Sequence, residues 1–149
     1  MAPARSAPAT APMVEWSSFG GLTPKGAGQF KWWLWADGRL DYYDQMKDER
    51  VGWHGEPGNP RGFDGTYHKR IPAEEARAVL EAIDSTPFDS LSRNPRASRP
   101  SGADGGDVTV TLRGARKSDT LKLWEIKGSE NLPVIRRLLS LQQKYIWPS

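Results

Sequence analysis

The chain has 149 residues, enough for one domain with a real core, and its 21 Lys and Arg against 18 Asp and Glu give a formal charge of +3. The absence of Cys excludes disulfides, thiolate metal sites and a Cys nucleophile, and no apolar run approaches the roughly 20 residues of a membrane span. A charge this mildly basic is compatible with nucleic acid without arguing for it; a solvated surface accounts for it equally well.

Hydrophobic residues are only 37%, because 15 Gly and 12 Pro occupy tails and loops; seven Trp and four Tyr compensate with large burial per residue. Residues 1–13 are Ala/Pro-rich and read as a flexible tail without the apolar centre of a secretory signal. The cytoplasm is the expected compartment, with an organelle or the periplasm left open. Residues 14–19 read as an edge strand, with Val14, Trp16 and Ser18 on one face. Residues 20–28 form a Gly/Pro connector that lacks the phosphate-loop spacing.

The stretch 28–44, GQFKWWLWADGRLDYYD, is the centre of the chain. Two β-prone runs flank Asp37-Gly38, which suits a two-residue hairpin turn. That turn pairs Trp35 with Leu40, Leu34 with Asp41, Trp33 with Tyr42, Trp32 with Tyr43 and Lys31 with Asp44. One face then carries Lys31, Trp33 and Trp35 opposite Asp44, Tyr42 and Leu40. The other carries Phe30, Trp32, Leu34 and Ala36 opposite Gln45, Tyr43, Asp41 and Arg39. The face of Trp33, Trp35, Leu40 and Tyr42 is the expected core beneath the two helices, with the other face as the alternative, and a ribbon apolar on both sides needs two covers.

Residues 45–65 form a long polar loop holding Trp53, His54 and Phe63, with a short strand at 51–54. Those aromatics suit a small cluster under the loop or a lip beside the aromatic face. A strand at 65–71 leads into a helix whose first turn carries Pro72, Glu74 and Glu75 and whose buried stripe is Ala76, Val79, Leu80 and Ile83; Pro87 stops it. Residues 94–106 form a mobile loop with Arg96 and Arg99, and Arg93 just before. Strands follow at 107–113, which alternates cleanly, and at 120–127. Ser129 or Asn131 caps a last helix buried through Leu132, Ile135, Leu138, Leu139, Tyr145 and Ile146. Residues 14–149 are therefore one α+β domain: a mostly antiparallel sheet of about five to six strands with two helices on one face.

Phe19-Gly20, Thr23-Pro24, a strand, Asp37-Gly38 and Tyr42 together resemble a small bacterial α+β domain family of unknown function. Its pattern is Phe-Gly-x-Cys-Pro-x-Tyr, an alternating strand, Asp-Gly and a Tyr. Pro87-Phe88-Asp89-Ser90-Leu91 is similar to the family's Phe-x-x-Leu segment after its helix, and Asp107 with its strand pair to its second hairpin. The resemblance runs from about Trp16 to the last helix. Thr23 stands where the Cys would be, and residues 25–29 look inserted. The resemblance implies the fold and carries no activity.

No catalytic signature is evident. His54 beside Glu56 is a possible acid–base pair, weighed against a surface His, and neither His54 nor His68 belongs to a metal-ligand pattern. Asp41 and Asp44 point to opposite faces on this register, and Asp44 pairs with Lys31. No Ser lies in a nucleophile elbow. The expected function is non-enzymatic: binding another protein, as an accessory subunit or an inhibitor or immunity-type protein, with no cofactor and no metal. Phe30, Trp32, Leu34, Arg39, Tyr43, Trp53 and Phe63 are the expected contacts. The alternative is nucleic-acid binding, with Lys31, Trp33 and Trp35 as a stacking platform and Arg93, Arg96 and Arg99 on phosphates.

Overall fold

The first strand, β1 (Val14–Thr23), lies near the middle of the sheet, because two partners reach it from opposite ends of the sequence. On one side β2 (Gly26–Leu34), β3 (Arg39–Asp48) and β4 (Asp64–Arg70) follow as an antiparallel meander. On the other side β5 (Asp107–Arg113) pairs from Val14↔Leu112 to Phe19↔Asp107, and β6 (Ser118–Lys122) hairpins outward from it. The six-stranded order is β4-β3-β2-β1-β5-β6. The expectation of an edge strand at 14–19 is thus corrected. The computed structural model describes residues 11–97 and 107–147. Most of the expected tail and of the loop at 94–106 lies outside these residues. The end of the tail is docked: Met13 is buried, and the Arg113 guanidinium donates to the Pro12 carbonyl at 2.9 Å.

Residues 20–28 are the tip of a hairpin rather than a connector. β1 runs to Thr23, β2 starts at Gly26, and the Thr23 hydroxyl closes the turn on the Gly26 carbonyl at 2.9 Å. The next reversal sits at Asp37-Gly38 but is one residue longer than expected. Trp35 donates its N–H to the Arg39 carbonyl at 2.9 Å, and Gly38 donates to the Trp35 carbonyl at 3.0 Å. Ala36, Asp37 and Gly38 therefore form a three-residue loop with glycine in the left-handed position, at φ +97°. A Cβ on Gly38 would lie 2.5 Å from the Ile71 carbonyl oxygen, so the site has neither the conformation nor the room for another residue.

The extra loop residue shifts the pairing by one. Phe30 faces Asp44, Lys31 Tyr43, Trp32 Tyr42, Trp33 Asp41 and Leu34 Leu40. A slip of one moves the whole of β3 to the other face relative to β2. Phe30, Trp32 and Leu34 share their face with Leu40 and Tyr42; Lys31, Trp33 and Trp35 share theirs with Arg39, Asp41 and Tyr43. Neither set matches the expected faces. The observed register is the one that opposes leucine to leucine instead of leucine to aspartate.

The first of these faces is the core, so the expected core of Trp33 and Trp35 with Leu40 and Tyr42 is corrected: only Leu40 and Tyr42 belong to it. Trp16 stacks on Trp32 at 5.6 Å, Tyr42 on Tyr67 at 4.8 Å, and Phe63 meets Tyr67 edge-on at 5.0 Å. Trp147 plates over Phe30 at 4.5 Å. The helices α1 (Ala73–Asp84) and α2 (Pro133–Tyr145) cover this face with Ala76, Val79 and Ile83, and with Val134, Ile135, Leu138 and Leu141. The Trp32 indole N–H would be orphaned there but donates to the Gln142 side-chain oxygen at 2.9 Å. Leu139, expected in the buried stripe, is 38% exposed, and Val134 and Leu141 take its place. α2 has no side-chain cap from Ser129 or Asn131; Leu132 precedes its first-turn Pro133. β6 ends at Lys122, where a 3-10 turn, Leu123–Glu125, replaces the expected continuation to 127. No helix among the described residues is long and apolar enough to cross a membrane.

Two carboxylates pin the helices. Asp84, at the end of α1, accepts the backbone N–H groups of Ala115, Arg116 and Lys117, which fixes the β5–β6 turn. These donors, Arg116 foremost, hold its carboxyl below the ordinary aspartate range. Glu75 on α1 takes the Tyr145 hydroxyl and the Lys144 ammonium of α2.

Candidate functional site: the open face of the sheet

With both helices on one face, the register leaves the other bare of helix. Its central row runs His68, Asp41, Trp33, Glu15, Thr111, Thr120 across the strands from β4 to β6. On one side of this row lie Arg70, Arg39 and Trp35, with Arg113 further along. On the other lie Thr66, Tyr43, Lys31, Ser17, Thr109 and Lys122. Trp33, on β2, and Trp35, just past its end and still bonded to Arg39, are half-buried and two residues apart, and so stand side by side on the same surface. The Arg39 guanidinium lies over the Trp35 ring at 4.0 Å and is held by Asp41 at 3.1 Å.

Asp41 organises one corner. It is only 6% exposed, and both its oxygens are engaged: Oδ2 by Arg39 and Oδ1 by the His68 Nδ1 at 2.8 Å. This contact fixes the imidazole orientation and turns Nε2 toward solvent on a side chain that is 72% exposed. Among the described residues no hydroxyl hydrogen-bonds to the ring, so within them the pair stops short of a nucleophilic triad. Sequence reasoning missed it, because the two-residue loop put Asp41 on the face opposite Trp33 and offered no partner for His68. The signal was present in the alternation of 66–70, once the register of β3 is right.

A second knot lies at the far end of β3. The Tyr43 hydroxyl donates to Asp48 Oδ2 at 2.8 Å, and Arg50 donates to Oδ1 through its backbone N–H and its Nε. Burial and the Asp48 hydrogen bond push the Tyr43 phenol up to about 12. Burial alone would raise the Asp48 carboxyl, but the donors from Arg50 and Tyr43 outweigh it and hold the group below its ordinary value. Asp44, expected to pair with Lys31, instead faces Phe30 and accepts the Met46 N–H.

The expected contacts separate into three groups. Phe30, Trp32 and Leu34 are core residues, at 8%, 0% and 0% exposure, which removes them from any surface. Arg39 and Tyr43 stay on the open face, now beside Trp33, Trp35 and Lys31. Trp53 and Phe63 lie elsewhere: Phe63 ends the Tyr67–Tyr42 ladder on the helix side, and Trp53 sits under the Lys25 ammonium at the β1–β2 tip. The backbone there is fixed by the His54 N–H on the Pro24 carbonyl. His54 and Glu56 are both exposed and make no bond to each other, so His54 is the surface histidine of the two readings weighed. Of the three arginines, Arg93 is held by Asp119 at 2.7 Å, Arg96 is exposed, and Arg99 lies outside the described residues. Among the described residues no cluster of His, Asp and Glu is placed to hold a metal ion.

Comparison with protein-family models finds no match, and comparison with curated proteins finds none either.

Proposed function

We propose that this chain is a non-enzymatic docking domain that holds another protein on the open face of its sheet. The observation that carries this reading is the position of Trp33 and Trp35, side by side at the end of a central strand, on the face that neither helix covers. Trp, Tyr and Arg dominate the energetics of protein interfaces, and here Trp33, Trp35, Tyr43 and Arg39 are neighbours in register. The tryptophans are pre-positioned. Trp35 is clamped by Arg39, and Arg39 by Asp41, so docking orders few side chains. A platform for single-stranded nucleic acid fits less well, because Arg93, one of its expected phosphate contacts, is held by Asp119 on the helix side of the sheet, away from Trp33 and Trp35.

Affinity capture from the native host, with wild-type and Trp33→Ala baits compared, tests the proposal. A protein retained by the first and lost by the second supports docking, provided both baits melt at the same temperature. Identical capture by the two baits removes the tryptophan face from the account.

A further inference from the structure

The charges on the open face are not balanced, and the imbalance has a pattern. Lys31, Arg39, Arg70, Arg113 and Lys122 occupy positions on this face, against Glu15 and Asp41. Asp107, at its far end, is not without a partner. The two carboxylates are already taken. Glu15 is held by Arg113, and Asp41 by Arg39 and His68. Lys122 has Glu125 at 4.0 Å. Among the described residues no carboxylate lies within ion-pairing distance of Lys31 or Arg70. Arg70 reaches only the Asp37 carbonyl, at 3.1 Å. It also stands directly opposite Arg39 across β3 and β4, and a like-charge pair in opposed positions costs stability.

A face whose acids are all engaged and which keeps two cations, Lys31 and Arg70, without a carboxylate among the described residues is complementary to negative charge. From this surplus we infer that the partner docks an acidic segment, seating its carboxylates against Arg70 and Lys31 and an apolar side chain on Trp33 and Trp35. The inference rests on the docking proposal above and narrows it to one chemistry. Arg39 is not free to turn toward the ligand, since Asp41 and Trp35 hold it; Arg70 can, because its only hold is one carbonyl. A carboxylate that settles beside Arg70 offsets its like-charge position opposite Arg39. Recognition of this kind is sensitive to salt and to the sign of the ligand more than to its sequence.

The test uses three probes on the full chain: a Glu-rich peptide bearing a single Phe, the same peptide with Lys for every Glu, and oligo-dT. The acidic peptide is expected to bind, to weaken as salt rises, and to lose about tenfold in affinity with Arg70→Glu. Arg70 is exposed, lies outside the core and stands opposite Arg39, so that variant should melt at or above the wild-type temperature. The Lys peptide should not bind. Absence of acidic-peptide binding, equal binding of the Lys peptide, or an Arg70→Glu variant with unchanged affinity overturns the acidic-partner inference. If Trp33→Ala still abolishes host-protein capture in that case, docking survives and only the charge argument fails. Oligo-dT bound more tightly than the acidic peptide, and released by Trp33→Ala, overturns the docking proposal itself.

Discussion

Trp32 and Trp33 are neighbours in sequence and opposites in situation. Trp32 lies at the centre of an aromatic ladder from Trp16 to Tyr67, sealed under two helices, with its one polar atom satisfied by Gln142. Trp33 lies between two carboxylates on the uncovered face, half-buried by neighbours that are mostly charged. The contrast teaches that the same residue type, one step along a strand, is assigned to the core or to the open face by register alone. Register here is decided by a single glycine-bearing loop.

The sharpest way to break this comparison is to truncate both tryptophans and measure unfolding by denaturant. Trp32→Ala should cost about 3–5 kcal/mol, because it opens a cavity and leaves the Gln142 amide unpaired in the core. The comparison fails if Trp33→Ala costs as much. The loop comes next. Gly38→Ala should cost about 2 kcal/mol or more, since it forces a side chain into the left-handed region and against the Ile71 carbonyl. An unchanged melting temperature would mean that the turn can re-form without glycine.

A subtler effect should appear at the ends of the pH scale. The folded Tyr43 keeps its proton up to about 12, whereas the ordinary value is 10.0. The unfolded chain therefore binds fewer protons than the folded one in that window, and stability falls as pH rises through it. Asp48 works in the opposite sense. Its folded value is depressed, so its contribution is complete above the unfolded value and is lost as pH falls through the folded one. Unfolding free energies measured against pH should lose part of the alkaline slope in Tyr43→Phe and part of the acid slope in Asp48→Asn. The smallest expected stability change belongs to Trp33→Ala, within about 1 kcal/mol, with its effect confined to partner capture.

Much of this architecture was legible in the sequence. The helical stripes of Ala76, Val79 and Ile83, and of Ile135 and Leu138, located both helices, and the alternation in 107–113 located β5. The position of β1 was not legible, because its second partner is distant in sequence and nothing local marks a strand as central. The register was half legible. Asp37-Gly38 serves a two-residue turn and a three-residue loop equally well, since both need glycine with positive φ. The arbiter was already in the pairs: a two-residue turn sets Leu34 against Asp41, and the longer loop sets Leu34 against Leu40. The His68–Asp41 contact and the open tryptophan pair followed from that one choice, and were hidden with it.

The place of β1 also bears on how the chain is made. Of the described strands, β1 leaves the ribosome first and waits longest for a partner: β2 arrives at once, but the β5 side of Val14, Trp16 and Ser18 stays unpaired until residues 107–113 emerge. Throughout that interval the nascent meander shows a bare strand border and an uncovered aromatic layer, an invitation to stick to other chains. Closing the sheet between such remote segments makes folding slow relative to a helical bundle of similar size. Expression should therefore depend on holdase chaperones more than the melting temperature of the finished domain would suggest.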